Sequence, residues 1–188
     1  ARDRLAENDR RRAAVQEKLS RKCGRIESMI NEMRERLLAE LNTFEEKDSE
    51  PLLSLINNGH SLLTSDKITD DKLHFFIEKA SEALQSAKCY KIAEAKLYET
   101  EGGLKNILSV EAVAKPRGLK ICTYGNGDTK QTVDVIETIL KVLEETAAEG
   151  HEQRTSAAEE VERRCDESIC ELNSLQEQIN EELKTVYE

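Results

Sequence analysis

Tryptophan is absent from this 188-residue chain, aromatics make up only 4% of it, and it holds two prolines and eight glycines. So few rings and chain breakers exclude a loop-rich or all-β domain. No run of 18 apolar residues occurs, so no membrane span is expected. No signal-peptide pattern opens the chain, and a sequence starting at Ala1 is expected to be excised from a longer one. Positive charge is also in deficit: the net charge is −10. Nucleic-acid binding, which needs clustered cations facing phosphates, is not expected.

The five cysteines, Cys23, Cys89, Cys122, Cys165 and Cys170, show no C-x-x-C spacing and lie far from His60, His74 and His151 in sequence. No metal-ligand set is readable. Their odd number and low density point to reduced thiols and a cytoplasmic protein. Gly125-x-Gly127 with Lys130 lacks the spacing of a phosphate-binding loop and reads as a turn. Arg10, Arg11 and Arg12 are flanked by Glu7 and Asp9 and read as a solvated helix face. The histidines have no nucleophile or carboxylate constellation around them, and His74, beside Phe75 and Phe76, reads as a boundary residue. No catalytic residue, cofactor or metal is expected, and the chain reads as non-enzymatic.

What is present is charge and helix-forming side chains. Charged residues reach 35%, above the usual level of roughly 25%. Val15, Leu19, Cys23, Ile26, Ile30, Met33, Leu37, Leu41 and Phe44 recur every 3.6 residues or so, an amphipathic helical period. A stripe so narrow on so long a helix needs a partner along its length. Asp48, Ser49 and Pro51 predict a break and restart, followed by a short helix over Leu52–Leu63. Thr69, with Asp70 and Asp71 behind it, predicts the start of another helix. Leu73, Phe76, Ile77, Ala80, Leu84 and Ala87 form its buried face, and it is expected to run to about Glu101 before Gly102-Gly103. Residues 104–130 lose this period. Pro116 interrupts them, and Leu119–Tyr124 alternates like a strand or an extended crossover. From Gln131 the helical pattern returns and runs to the end, with a weak point at Gly150 and His151.

The expected fold class is all-α: an elongated coiled coil with two long helices, and between them a shorter helical segment and an extended crossover. The expected organisation is a long coiled-coil helix over 1–47, short fold-back helices over 48–103, an extended or turn connector over 104–130, and a second long coiled-coil helix over 131–188. That last helix is also the possible start of a second repeat. Arg21–Leu41 and Arg163–Leu183 align without gaps, matching Arg21, Cys23, Asn31, Glu35, Glu40 and Leu41 with Arg163, Cys165, Asn173, Glu177, Glu182 and Leu183. Either this is a repeat at an offset of 142 residues, or two helices share a composition.

The two helical ends differ in sign. Residues 1–41 hold 11 Lys/Arg against 8 Asp/Glu, and residues 131–188 hold 5 against 16. They are suited to pair with each other or with a neighbouring copy. The expected self-association interface is Val15, Leu19, Ile26, Ile30, Met33, Leu37 and Leu41 on the first helix, with Val161, Cys165, Leu172, Ile179 and Leu183 on the second. Partners are the chain itself, as a homodimer or head-to-tail array with antiparallel pairing favoured, and other cytoskeletal or scaffold proteins. Neither nucleic acid nor membrane is among them.

Three segments in this order carry a family likeness: Met33–Ile56, Leu73–Ala87 and Val113–Gly125. From residue 5 to about 140 the pattern resembles the coiled-coil region of tripartite-motif (RING, B-box, coiled-coil) proteins. The resemblance implies a long helix forming an antiparallel dimer, with later helices folding back onto it. No RING or B-box cysteine–histidine set is present, so ligase activity is not implied for these residues. A second long helix after residue 131 departs from the family and suits a tandem array. Three functional readings follow: a self-associating scaffold or cytoskeletal spacer, a dimerisation module of a tripartite-motif-type ubiquitin ligase, and a stalk-like hairpin with a filament-binding tip at 50–130.

Overall fold

A computed structural model describes residues 2–96, 106–119 and 129–187. Helix α1 spans Arg2–Thr64, α2 Asp70–Gln85 and α3 Thr129–Val186; strands β1 (Lys88–Lys96) and β2 (Asn106–Ala114) pair in a two-stranded sheet. The all-α expectation holds in its main terms, with two long helices and a shorter one. The chain divides into two compact units: residues 1–38, 93–109 and 159–188 form the first, and residues 39–92 and 110–158 the second.

In the first unit, the early part of α1 and the late part of α3 run antiparallel. Ser20 meets Gln176, and Arg34 meets Glu162 and Asp166, so numbering rises along one helix as it falls along the other. Cys23, Ile30, Leu37, Leu108, Val161 and Cys165 are buried here. The two look-alike segments are therefore each other's packing partners.

In the second unit, the rest of α1 and the start of α3 are antiparallel too, with Glu45 opposite His151 and His60 opposite Glu144. Helix α2 packs against both. Its core joins Leu52 and Ile56 of α1, Leu73, Phe76, Ala80 and Leu84 of α2, and Ile136, Ile139, Leu140 and Leu143 of α3. Each of these leucine, isoleucine and phenylalanine side chains contributes about 1.5–3 kcal/mol when fully buried. Gly59 sits inside this contact, where a Cβ would meet Leu140 Cδ2 at 2.5 Å and Phe76 Cζ at 2.9 Å.

The local start signal of α2 works as the sequence implies. Thr69 is extended, its hydroxyl accepts from Lys72 N–H, and Asp70 and Asp71 occupy the first turn. Leu73, Phe76, Ala80 and Leu84 are buried on the expected face. Thr64 ends α1 one residue beyond the expected Leu63.

Two expectations are corrected. The break at 48–51 does not occur, because α1 continues through Pro51. Proline has no N–H to bond Lys47 C=O, yet the helix runs on through it, with Leu52 and Ile56 just beyond it packed in the core. Asp48 and Ser49 do not cap a new helix: their side chains face Arg154 of α3. The helix expected to reach Glu101 ends at Gln85, where the Ser86 N–H closes the last turn on Glu82 C=O. Residues 88–96 are strand instead. Ala87 C=O accepts from Lys115 N–H, and Lys91 pairs with Glu111 at 3.6 Å, which sets an antiparallel register in the part of the sheet within the second unit. Glu101, Gly102-Gly103, Lys120–Tyr124 with Cys122, and the Gly125–Asp128 turn lie outside the described residues.

Candidate functional site

The residues expected to form the interface separate into covered and uncovered sets. Ile30 and Leu37 are covered within the first unit, as are Val161 and Cys165. Leu41 is covered within the second. Leu19, Ile26, Met33, Leu172, Ile179 and Leu183 are half-buried, and Val15 is exposed. Cover falls away toward the chain ends: Val161 is fully buried, while Leu175 is 53% and Val186 74% exposed. Leu5, also exposed, continues the pattern on α1.

The covered part carries a charged seam. Arg34 donates to Asp166 at 2.6 Å and lies 3.0 Å from Glu162. Burial works against its charge, but Asp166 and then Glu162 outweigh that and hold the guanidinium above its ordinary pKa. Burial pushes the neighbouring Cys165 thiol up, although the Arg34 guanidinium pulls the other way. Cys165 is thus a packed thiol with little thiolate character. Met33 Sδ accepts from Leu108 N–H at 3.5 Å, and Arg164 reaches Glu94 at 3.5 Å, so α1 and α3 of this unit also touch its strand residues.

The second unit holds a buried polar cluster. Arg154 is 5% exposed; its Nη2 donates to Ser49 Oγ at 2.9 Å, and its Nη1 lies 3.9 Å from Asp48 Oδ2. Gly150 makes room, since a Cβ there would stand 3.1 Å from Arg154 Nη1. Tyr90 stacks on Phe44 at 4.4 Å between ring centroids, with the Asp48 carboxylate nearby. Burial, and then that carboxylate, push the Tyr90 phenol well above its ordinary range. Arg154 Nε and Asp48 Oδ2 remain without hydrogen-bond partners. They border a cleft of about 140 Å³ between Pro51, Ala87 and Gly150. The sequence reading missed this cluster. Its signal was a glycine four residues before an arginine in an otherwise apolar-facing register.

A second concavity, of about 270 Å³, lies between α1 and α2 of the same unit. Leu55, Leu62 and Phe76 form its floor, Phe75 is 60% exposed at its edge, and Lys72 and Lys79 stand on its rim. Lys79 Nζ is 5.6 Å from the Phe75 ring centroid, a cation–π contact.

Among the described residues no group of His, Cys, Asp and Glu is placed to hold a metal ion. The carboxylates beside His60 and His151 are helix-to-helix links on exposed faces. Cys23, Cys89, Cys165 and Cys170 are free thiols, and no described helix is long and apolar enough to cross a membrane. No family model, curated protein or solved structure matches the chain.

Proposed function

We propose that this chain is a non-enzymatic, self-associating structural module, a scaffold or cytoskeletal spacer that works in the cytoplasm. The observation that carries this reading is the uneven cover of the apolar stripe in the first unit. Ile30, Leu37, Val161 and Cys165 are sealed within the chain, whereas Leu5, Val15, Leu175 and Val186 leave apolar surface in water. Burial of such side chains in a second copy recovers about 25 cal/mol per Å². The interface is thereby narrowed to the outer members of the stripe, Val15, Leu19, Leu172, Ile179 and Leu183, with Leu175 and Val186 added. Opposite charge at the two ends orients the encounter.

Light scattering over a concentration series tests the reading. The mass should rise above the 21.3 kDa of a single chain as concentration increases. A mass that stays at one chain up to the highest soluble concentration would refute it.

The tripartite-motif dimerisation module remains the second reading. It is favoured by the packing of the shorter helix α2 back onto α1 in the second unit. A RING or B-box pattern upstream of Ala1 in the full-length protein would select it, and further copies at the 142-residue spacing would select the array.

A further inference from the structure

We propose that the Phe75 groove receives the acidic end of α3 from a second copy of this chain, so that copies join head to tail. The inference rests on the self-association reading above, takes Leu175 and Val186 from it, and adds the Phe75 groove as the surface they meet. The groove offers an apolar floor, an exposed aromatic ring and two rim lysines: Lys72, which makes no ion pair among the described residues, and Lys79, which pairs with Glu82 at 3.4 Å. Exposed aromatics in apolar pockets are the usual anchors of protein contacts.

Charge then selects the occupant from the other apolar side chains that are more than half exposed, Leu5, Leu53, Leu175 and Val186. Leu5 lies among mixed charges, and its acidic neighbours Glu7 and Asp9 are already paired with Arg11 and Arg12. Leu53 shares a surface depression with Glu45, Glu46 and Glu50, so it sits in a concavity and not on a ridge. The end of α3 combines acid with uncovered apolar side chains. Glu171, Leu175, Gln178, Glu182 and Val186 follow steps of 4, 3, 4 and 4, so they share one helix face, and all five are exposed. Glu171 and Glu182 make no ion pair among the described residues, whereas Glu167 and Glu181 are already paired with Arg163 and Lys184.

The fit is therefore a ridge of Leu175 and Val186 against Phe75 and the groove floor, with one of Glu171 and Glu182 meeting Lys72 and the other displacing Glu82 from its exposed, weakly held pair with Lys79. The carboxylates are roughly 16 Å apart along the helix and the lysines roughly 10 Å, a difference that flexible lysine stems span. Because the groove and the ridge are different surfaces, each copy keeps one of each free after pairing. The contact is heterologous and grows beyond a dimer.

Two full-length variants test it, Phe75→Glu in the groove and Leu175→Lys on the ridge. Both side chains are more than half exposed, so the helical circular dichroism and melting of each should match the unaltered chain. By sedimentation velocity, the unaltered chain should grow past two copies, and added salt should weaken it. Each variant alone should associate at least tenfold more weakly. An equimolar mixture should form a complex of two chains and stop there, since only one intact groove meets one intact ridge. A mixture that stays at single-chain mass overturns the proposal. So does a Phe75→Glu chain that assembles like the unaltered one, although self-association by another surface then stands. An unaltered chain that never exceeds one copy overturns both readings.

Discussion

Gly59 and Leu140 are so closely packed that a single added carbon on Gly59 would stand 2.5 Å from Leu140 Cδ2. Leu140 and Phe76, the next nearest neighbour, are both buried and have little room to yield. Gly24, in the same helix α1, has nothing within 4 Å of such a carbon. Alanine is a better helix former than glycine by about 1 kcal/mol, and overpacking a core costs about 1–3 kcal/mol. Gly24→Ala should therefore raise stability by up to about 1 kcal/mol, and Gly59→Ala should lower it. Urea titrations with unchanged m-values would show the two midpoints moving in opposite directions.

Arg154 is the most deeply buried charge among the described residues. Arg154→Ala should cost about 1–3 kcal/mol, because it removes a buried guanidinium bonded to Ser49 and leaves the half-buried Asp48 without its counter-charge. Asp48→Ala strands the guanidinium in turn. The double variant should lose less than the two single losses together, by about 0.5–3 kcal/mol. Strict additivity in a double-mutant cycle would mean that the cluster does not act as a unit.

Tyr90 makes the fold sensitive to alkali. Its folded pKa lies above the unfolded value of about 10. The stability it contributes is thus fully present below pH 10 and is lost as the pH rises through the higher folded value. Unfolding free energies of the unaltered chain and Tyr90→Phe, measured from pH 8 to 12, should converge at the alkaline end. A constant difference across that window would sever the link to the phenol.

Thiol reactivity should follow burial and not sequence proximity. Cys170 is exposed, while Cys165, five residues earlier, is buried beneath Arg34 and held protonated. Iodoacetamide at pH 8 should modify Cys170 at least tenfold faster than Cys165, as read by peptide mass mapping. Equal rates would show that the packing around Arg34 opens readily.

The parts of the fold that were legible in the sequence rest on local chemistry. Thr69 with two aspartates announces α2 because the cap and its helix lie within four residues of one another. The stripes of α1 and α3 were readable as apolar faces, but period alone does not say which surface covers them. Asp48, Ser49 and Pro51 look like a restart, because the partner that recruits them, Arg154, lies over a hundred residues downstream. Lys88–Lys96 is rich in Ala, Lys and Glu, good helix formers, and only its pairing with β2 and the stacking of Tyr90 on Phe44 make it a strand. Tertiary contact overrode propensity there. Of the candidate interface, the groove at Phe75 was invisible, since it needs α1 and α2 side by side.

The antiparallel pairing of α1 with α3 also sets a timetable for biosynthesis. Ser20 waits for Gln176 and Arg34 for Asp166, separations of 156 and 132 residues. At translation rates of roughly 5–20 residues per second, the apolar face of α1 leaves the ribosome many seconds before its own complement exists. Such non-local closure is slow.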